Sequence, residues 1–384
     1  MKARKMFYCL QAAAFLYAGT VTSARLERPD TVKSFNVNRG GRLVVDVPGP
    51  IKVNTWSKDE VKVSVTGLDE DQTEKVEITS DKNTVTVRCD EGWGSESDAE
   101  FNVTVPVNFN VELKTSSGNI ETTGKIDGNV EASTSGGDLS FKDVTGNLNA
   151  ESSGGNISLQ GNVEGNLNVN TMGGDINIGV IKGKSAKVNT MGGEISISKC
   201  LSGISVKTYG GDISVGDAGG SSDFVTYGGN ISVGKVNGDV NMETYGGNLS
   251  LSGANGKVKG RTNGGNIEFQ NVNGSVDIKT MAGEIVLGFN PAPNSESKII
   301  TNMGSITLNI AASAKTEIEA RIHVQGWWKD AQDNYKINSD FEAATNNVDG
   351  YTHDIVGTYI LNGGGSKIFL KSVNDEITIK KSSK

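Results

Sequence analysis

Large side chains are scarce in this chain. Tryptophan, tyrosine and phenylalanine make up only 6% of its 384 residues, too little bulk for a broad globular core. Glycine accounts for 50 residues, a density that argues against long helices, because each helical glycine costs about 1 kcal/mol relative to alanine. Histidine occurs twice, as His323 and His353, and neither has a serine or cysteine motif beside it. The three cysteines show no CxxC spacing and no Cys/His cluster, so no metal centre or cofactor is expected. Positive charge is in deficit, with a net charge of -8, which disfavours nucleic acid as a partner. Beyond the first two dozen residues there is no long apolar run, and hence no expected transmembrane segment.

Those first residues have a pattern of their own. Lys2, Arg4 and Lys5 form a basic start, Met6 to Ala18 an apolar stretch too short to span a bilayer, and Thr22-Ser23-Ala24 a small-residue end. Residues 1–24 are therefore expected to be a secretory signal peptide, leaving an exported protein of the periplasm, cell surface or extracellular space. Loss of the three leader cations takes the net charge to about -11. Cys9 follows Phe7 and Tyr8 rather than small residues and does not fit a lipoprotein attachment site. Export permits a disulfide between Cys89 and Cys200, but two separate, mostly buried thiols are the simpler expectation.

What the chain has in abundance is one short phrase, written eleven times between Ser116 and Leu308: a small residue, usually Gly, then Gly, a polar residue, and Ile or Leu. The second glycines are Gly118, Gly137, Gly155, Gly174, Gly193, Gly211, Gly229, Gly247, Gly265, Gly283 and Gly304, at intervals of 18 or 19 residues and finally 21. A fixed period this short marks a solenoid, whose coils cannot bury their apolar faces until neighbours stack on them. Apolar pairs follow two and four residues after the second Gly, as in Ile176 and Ile178 or Ile213 and Val215, with polar residues such as Ser196 and Ser214 between such pairs; this is period two and hence strand. A second strand precedes the glycines, as with Leu167 and Val169, and dipeptides such as Asn237-Gly238, Asn255-Gly256 and Asn273-Gly274 read as turns. The unvarying second Gly needs either positive φ or a site without room for a Cβ. Gly219, in a variable linker, is expected to tolerate a side chain.

The expected architecture is an all-β parallel β-solenoid, or β-helix, of about eleven coils of 18–19 residues over 116–310. Residues 25–115 alternate without the phrase (Leu43, Val45, Val47; Val61, Val63, Val65; Val103, Val105) and are expected to cap and continue the rod. After Ile310 the phrase lapses, with His323, Trp327, Trp328 and Tyr335 in the gap. It returns at Gly363-Gly364-Gly365, Ile368 and Leu370, so residues 311–384 read as an insertion, reaching to about residue 362, and a final capping coil.

Three segments carry a resemblance to a known family: VPVNFNVELKTSSGNIE from Val105 to Glu121, the serial TMGGDI and TYGGNI coils, and ILNGGGSKIFLKSVNDEITIKK from Ile360 to Lys381. The whole mature sequence resembles DUF4097, an adhesin-type family of bacterial exported β-strand repeat proteins. The resemblance implies a parallel β-solenoid and an envelope or surface role, and it brings no catalytic residues with it.

Parallel β-helices also include polysaccharide lyases and hydrolases, so an enzyme of that kind is the alternative. It would need carboxylates that converge on one site. Here the residue after the second Gly alternates between Asp138, Asp175, Glu194, Asp212 or Glu284 and Asn156, Asn230, Asn248 or Asn266, an exchange that suits hydrogen bonding at a turn rather than proton transfer. The calcium-roll signature GGxGxDxUx is absent, so the acids are not read as a metal ladder. Two residues before the second Gly stand Met172, Met191, Tyr209, Tyr227, Tyr245, Asn263 and Met281, each preceded by Thr. Parity places Thr inward and Tyr or Met outward. Met191, Tyr209, Tyr227 and Tyr245 are therefore the candidate binding strip, either stacked for stability or offered to a glycan or to an envelope protein's apolar patch.

Overall fold

In the computed structural model the chain is described over residues 31–68, 72–89, 98–326 and 334–382; the expected signal peptide and Trp327 and Trp328 lie outside the described residues. The protein is all-β, with no α-helix among the described residues. Two long runs of parallel strands lie side by side through the repeats, within one sheet. In the first, Phe109–Thr115, Val130–Thr134, Leu148–Ser152 and Leu167–Thr171 pair in parallel, each with the strand one repeat on. In the second, Ile157–Val163, Ile176–Ile181, Ile195–Cys200, Ile213–Ala218 and Ile231–Val236 do the same. Ile157, Ile176, Ile195, Ile213 and Ile231 are consecutive rungs of one buried ladder, as the two-residue alternation requires.

A third interior ladder escapes the alternation. Val144, Val163, Ile181, Cys200, Ala218, Val236, Ala254 and Val272 pair rung to rung, and all are buried. Each is a single inward residue next to a bend, so no period-two run announces it. Its existence explains Cys200, which fills an aliphatic rung; no disulfide joins it to Cys89.

The second glycines are fixed by close approach. A Cβ on Gly229 would lie 2.1 Å from the carbonyl oxygen of Gly211, and one on Gly174 2.1 Å from that of Gly155. Of the eleven, only Gly304 has positive φ, at 134°. The first glycine of the pair is different, since a Cβ at Gly136 would meet nothing within 4 Å. Gly219 departs from its expected tolerance: a Cβ there would sit 2.1 Å from the Leu201 carbonyl oxygen, because the linker also stacks on the coil before it. The Asn-Gly dipeptides at 255–256 and 273–274 likewise lie inside the continuous strands Leu249–Arg261 and Ile267–Thr280. Asn255 pairs with Asn273 and Gly256 with Gly274, so coil-to-coil pairing persists through the bend.

The sheet as a whole is mixed rather than purely parallel, and the antiparallel pairs lie at its ends. Thr31–Asn36 and Glu100–Pro106 both run antiparallel to Glu60–Thr66, and Val76–Asp81 to Thr84–Cys89. At the other end Thr316–His323 and Thr345–Asp349 flank Asp354–Leu361, both antiparallel to it. A parallel stack leaves an open edge at each end, and antiparallel strands pair it here, through short turns in Val76–Asp81 with Thr84–Cys89 and Thr345–Asp349 with Asp354–Leu361 and across longer connections in the other pairs. The C-terminal order is not sequential. Ser366–Val373 lies between Glu296–Thr301 and Thr316–His323, so the chain passes outward first and returns to fill the gap.

Candidate functional site

Met172, Met191, Tyr209, Tyr227, Tyr245, Asn263 and Met281 form an outward ridge, each positioned by the buried threonine before it. Thr226 is fully buried; its hydroxyl donates to the carbonyl of Gly211 at 2.9 Å and accepts from the Gly229 N–H at 3.3 Å. The same pair of bonds recurs at Thr134, Ser152, Thr171, Thr190, Thr208, Thr244 and Thr262. An inward hydroxyl thus satisfies two backbone groups at a corner where the ladder bends away. The next residue then points outward, and sequence alternation anticipated this parity but not the hydrogen bonds behind it.

Tyr209, Tyr227 and Tyr245 are 46%, 42% and 60% exposed, and Met172, Met191 and Met281 are exposed beside them on the same line. Backbone bonds hold the register, from Tyr227 N–H to the Tyr209 carbonyl at 3.3 Å and from Tyr245 N–H to the Tyr227 carbonyl at 3.2 Å. The Tyr209 and Tyr227 ring centroids are 4.9 Å apart with planes at 3°, and those of Tyr227 and Tyr245 are 5.1 Å apart with planes at 4°. Lys207 Nζ lies 5.0 Å from the Tyr209 ring centroid. Both faces of Tyr227 are thereby covered by its neighbours. The ridge presents ring edges, phenol hydroxyls and methionine ends, a surface suited to an apolar partner with hydrogen-bonding groups more than to a sugar laid flat on a ring.

The acids after the second glycines act as turn ladders. Asp138 Oδ1 accepts the Asn156 N–H at 2.7 Å, Asn156 Oδ1 the Asp175 N–H at 2.8 Å, Asp175 Oδ1 the Glu194 N–H at 2.8 Å, and Asp212 Oδ1 the Asn230 N–H at 2.6 Å. Asp and Asn exchange here because both supply the same Oδ1. Among the described residues no group of His, Cys, Asp and Glu could hold a metal ion.

A cluster the sequence did not signal lies in the C-terminal cap. His323 and Asp354 face each other across the antiparallel pair, with His323 Nδ1 2.9 Å from Asp354 Oδ1, while Arg321 reaches Asp354 Oδ2 at 3.2 Å and Glu319 at 2.7 Å. Both oxygens of the buried Asp354 carboxylate are engaged, which makes the group a clamp across this strand pair. Five residues further along the same strand, burial raises the pKa of the Tyr359 phenol above its ordinary value.

The family described as Toastrack DUF4097 matches residues 42–252. Among solved structures, the chain is similar to a "putative adhesin" of Bacteroides fragilis NCTC 9343 at 11% identity, covering 91% of this chain and 96% of that one with a TM-score of 0.23. A protein of the same description from Parabacteroides merdae ATCC 43184 matches at 13% identity, over 73% and 95%, with a TM-score of 0.25. One described as a "putative cell adhesion protein", from Clostridium sporogenes ATCC 15579, matches at 10% identity, over 92% and 100%, with a TM-score of 0.15. No match is found among curated proteins. No helix among the described residues is long and apolar enough to cross a membrane.

Proposed function

For a chain that belongs to the Toastrack DUF4097 family, we propose a non-enzymatic, adhesin-like interaction role at the cell envelope or surface, with the long side of a β-solenoid presented to a partner protein or glycan. The observation that carries this reading is the exposed ridge of Met191, Tyr209, Tyr227 and Tyr245, rigid because each ring is held by the next. A preformed aromatic edge loses little side-chain entropy on binding. The alternative of a polysaccharide-active enzyme draws no support from the acidic ladder, in which Asp138, Asp175 and Asp212 each accept the backbone N–H of the next coil.

The test is a screen of the purified mature protein against glycans and candidate envelope proteins, scoring both binding and the appearance of new reducing or unsaturated ends. Simultaneous alanine replacement of Tyr209, Tyr227 and Tyr245 is expected to keep the circular dichroism spectrum and abolish the binding. Normal binding by the triple variant removes the ridge from the function. New sugar ends with wild-type protein replace the reading with the enzymatic one.

A further inference from the structure

The ridge has an order that a single binding event does not require. Read along the rod it is Met172, Met191, Tyr209, Tyr227, Tyr245, Asn263, Met281, and about Tyr227 it is the same in both directions except that Met191 is answered by Asn263. The row beside it, two residues earlier in each coil, is centred on Val225, with Lys207 one rung before and Glu243 one rung after. A dyad through Tyr227 and Val225, perpendicular to the rod and in the plane of contact, sets each position of both rows against its mirror position on another copy.

We propose that the ridge is the interface of an antiparallel two-fold dimer of this chain. The proposal names a partner for the surface described above and rests on the reading of that surface as an interaction site. In this arrangement Tyr227 meets Tyr227, Tyr209 meets Tyr245, Met172 meets Met281, and Lys207 of each copy faces Glu243 of the other, so the contact is isologous and closes on itself. The charge pattern selects the direction: copies side by side and antiparallel bring opposite charges together twice, at Lys207 and Glu243. Glu243 also has Lys259 of its own chain at 2.5 Å, and Lys207 lies over Tyr209, so both charges are already held on the ridge side of the coil. The seven ridge residues span six coil steps, roughly 29 Å. With the rows on either side they supply about 20 residues, the lower end of what each partner contributes to a standard interface.

Sedimentation velocity of the mature protein over a range of concentration tests this, together with two charge variants. Wild type is expected to show a monomer–dimer equilibrium. Lys207→Glu sets two pairs of like charges face to face and is expected to weaken association about tenfold or more, and Lys207→Glu with Glu243→Lys is expected to restore it. Tyr227→Arg, with two guanidinium groups on the dyad, is expected to be monomeric, with a melting curve that confirms an intact fold. A wild type that stays monomeric to high micromolar concentration overturns the dimer; a dimer indifferent to Lys207→Glu, or not recovered by the double exchange, overturns its antiparallel register. If the wild type is monomeric while the triple alanine variant still loses a glycan or protein ligand, the dimer fails and the interaction reading stands.

Discussion

Replacing Thr226 by Val removes one oxygen and leaves the shape of the side chain nearly unchanged. In the folded protein that oxygen holds two backbone groups, the Gly211 carbonyl at 2.9 Å and the Gly229 N–H at 3.3 Å, at a site with no solvent exposure. Each buried group left without a partner costs about 1–3 kcal/mol, and the longer of the two bonds belongs at the lower end, so the substitution is expected to destabilise by about 2–4 kcal/mol. Thr226→Ser is the control, because it keeps the oxygen and loses only a methyl group. Ser152 already occupies the equivalent position and makes both bonds, at 3.0 and 2.9 Å. Urea unfolding followed by circular dichroism measures the difference, with the midpoint of the Val variant falling well below that of the Ser variant at an unchanged slope. Equal midpoints for the two variants would show that the corner backbone finds other partners and that the threonine column is not what closes the bend.

Two further sets of substitutions probe the same architecture. Ile213→Asp, on the buried central ladder, is expected to lower stability by several kcal/mol, whereas Ser214→Asp on the exposed side is nearly neutral; equal melting temperatures would contradict the assigned faces. Gly229→Ala and Gly219→Ala both drive a Cβ to 2.1 Å from a backbone oxygen and should destabilise strongly, while Gly136→Ala meets nothing and should leave the unfolding midpoint within about 0.5 kcal/mol of wild type. Loss of stability at Gly136 comparable to that at Gly229 would mean that backbone freedom, not steric approach, fixes the pair.

Much of this protein was legible in the chain because its information is periodic. A glycine that recurs every 18 or 19 residues, with Ile or Leu two places on, can place its apolar side chains in register only if each copy lies on the next, and Ile157 to Ile231 do so. The outward turn of the tyrosines followed from the same parity, and the exchange of Asp with Asn after the second glycine marked those residues as turn acceptors. The third ladder did not follow, because an isolated inward residue such as Val163 or Cys200 has no alternating neighbours to mark it.

The sequence by itself determined the repeat, the strand faces and the ridge, since these depend on spacing along the chain and on which residues avoid water. Tertiary structure alone decided what depends on the distance between coils. It showed that the corner glycines are held by a carbonyl 2.1 Å from where a Cβ would stand, that Gly219 is held in the same way, and that Thr226 ties two coils. To the stack of tyrosines that the repeat led one to expect it added the geometry, ring centroids 4.9 and 5.1 Å apart with planes at 3° and 4°. At the ends, where no further repeat exists to pair with, it showed the chain turning back in antiparallel strands and slipping Ser366–Val373 beneath a strand laid down fifty residues earlier. Spacing specifies which side of a coil a residue faces; only the approach of neighbouring coils specifies what it touches there.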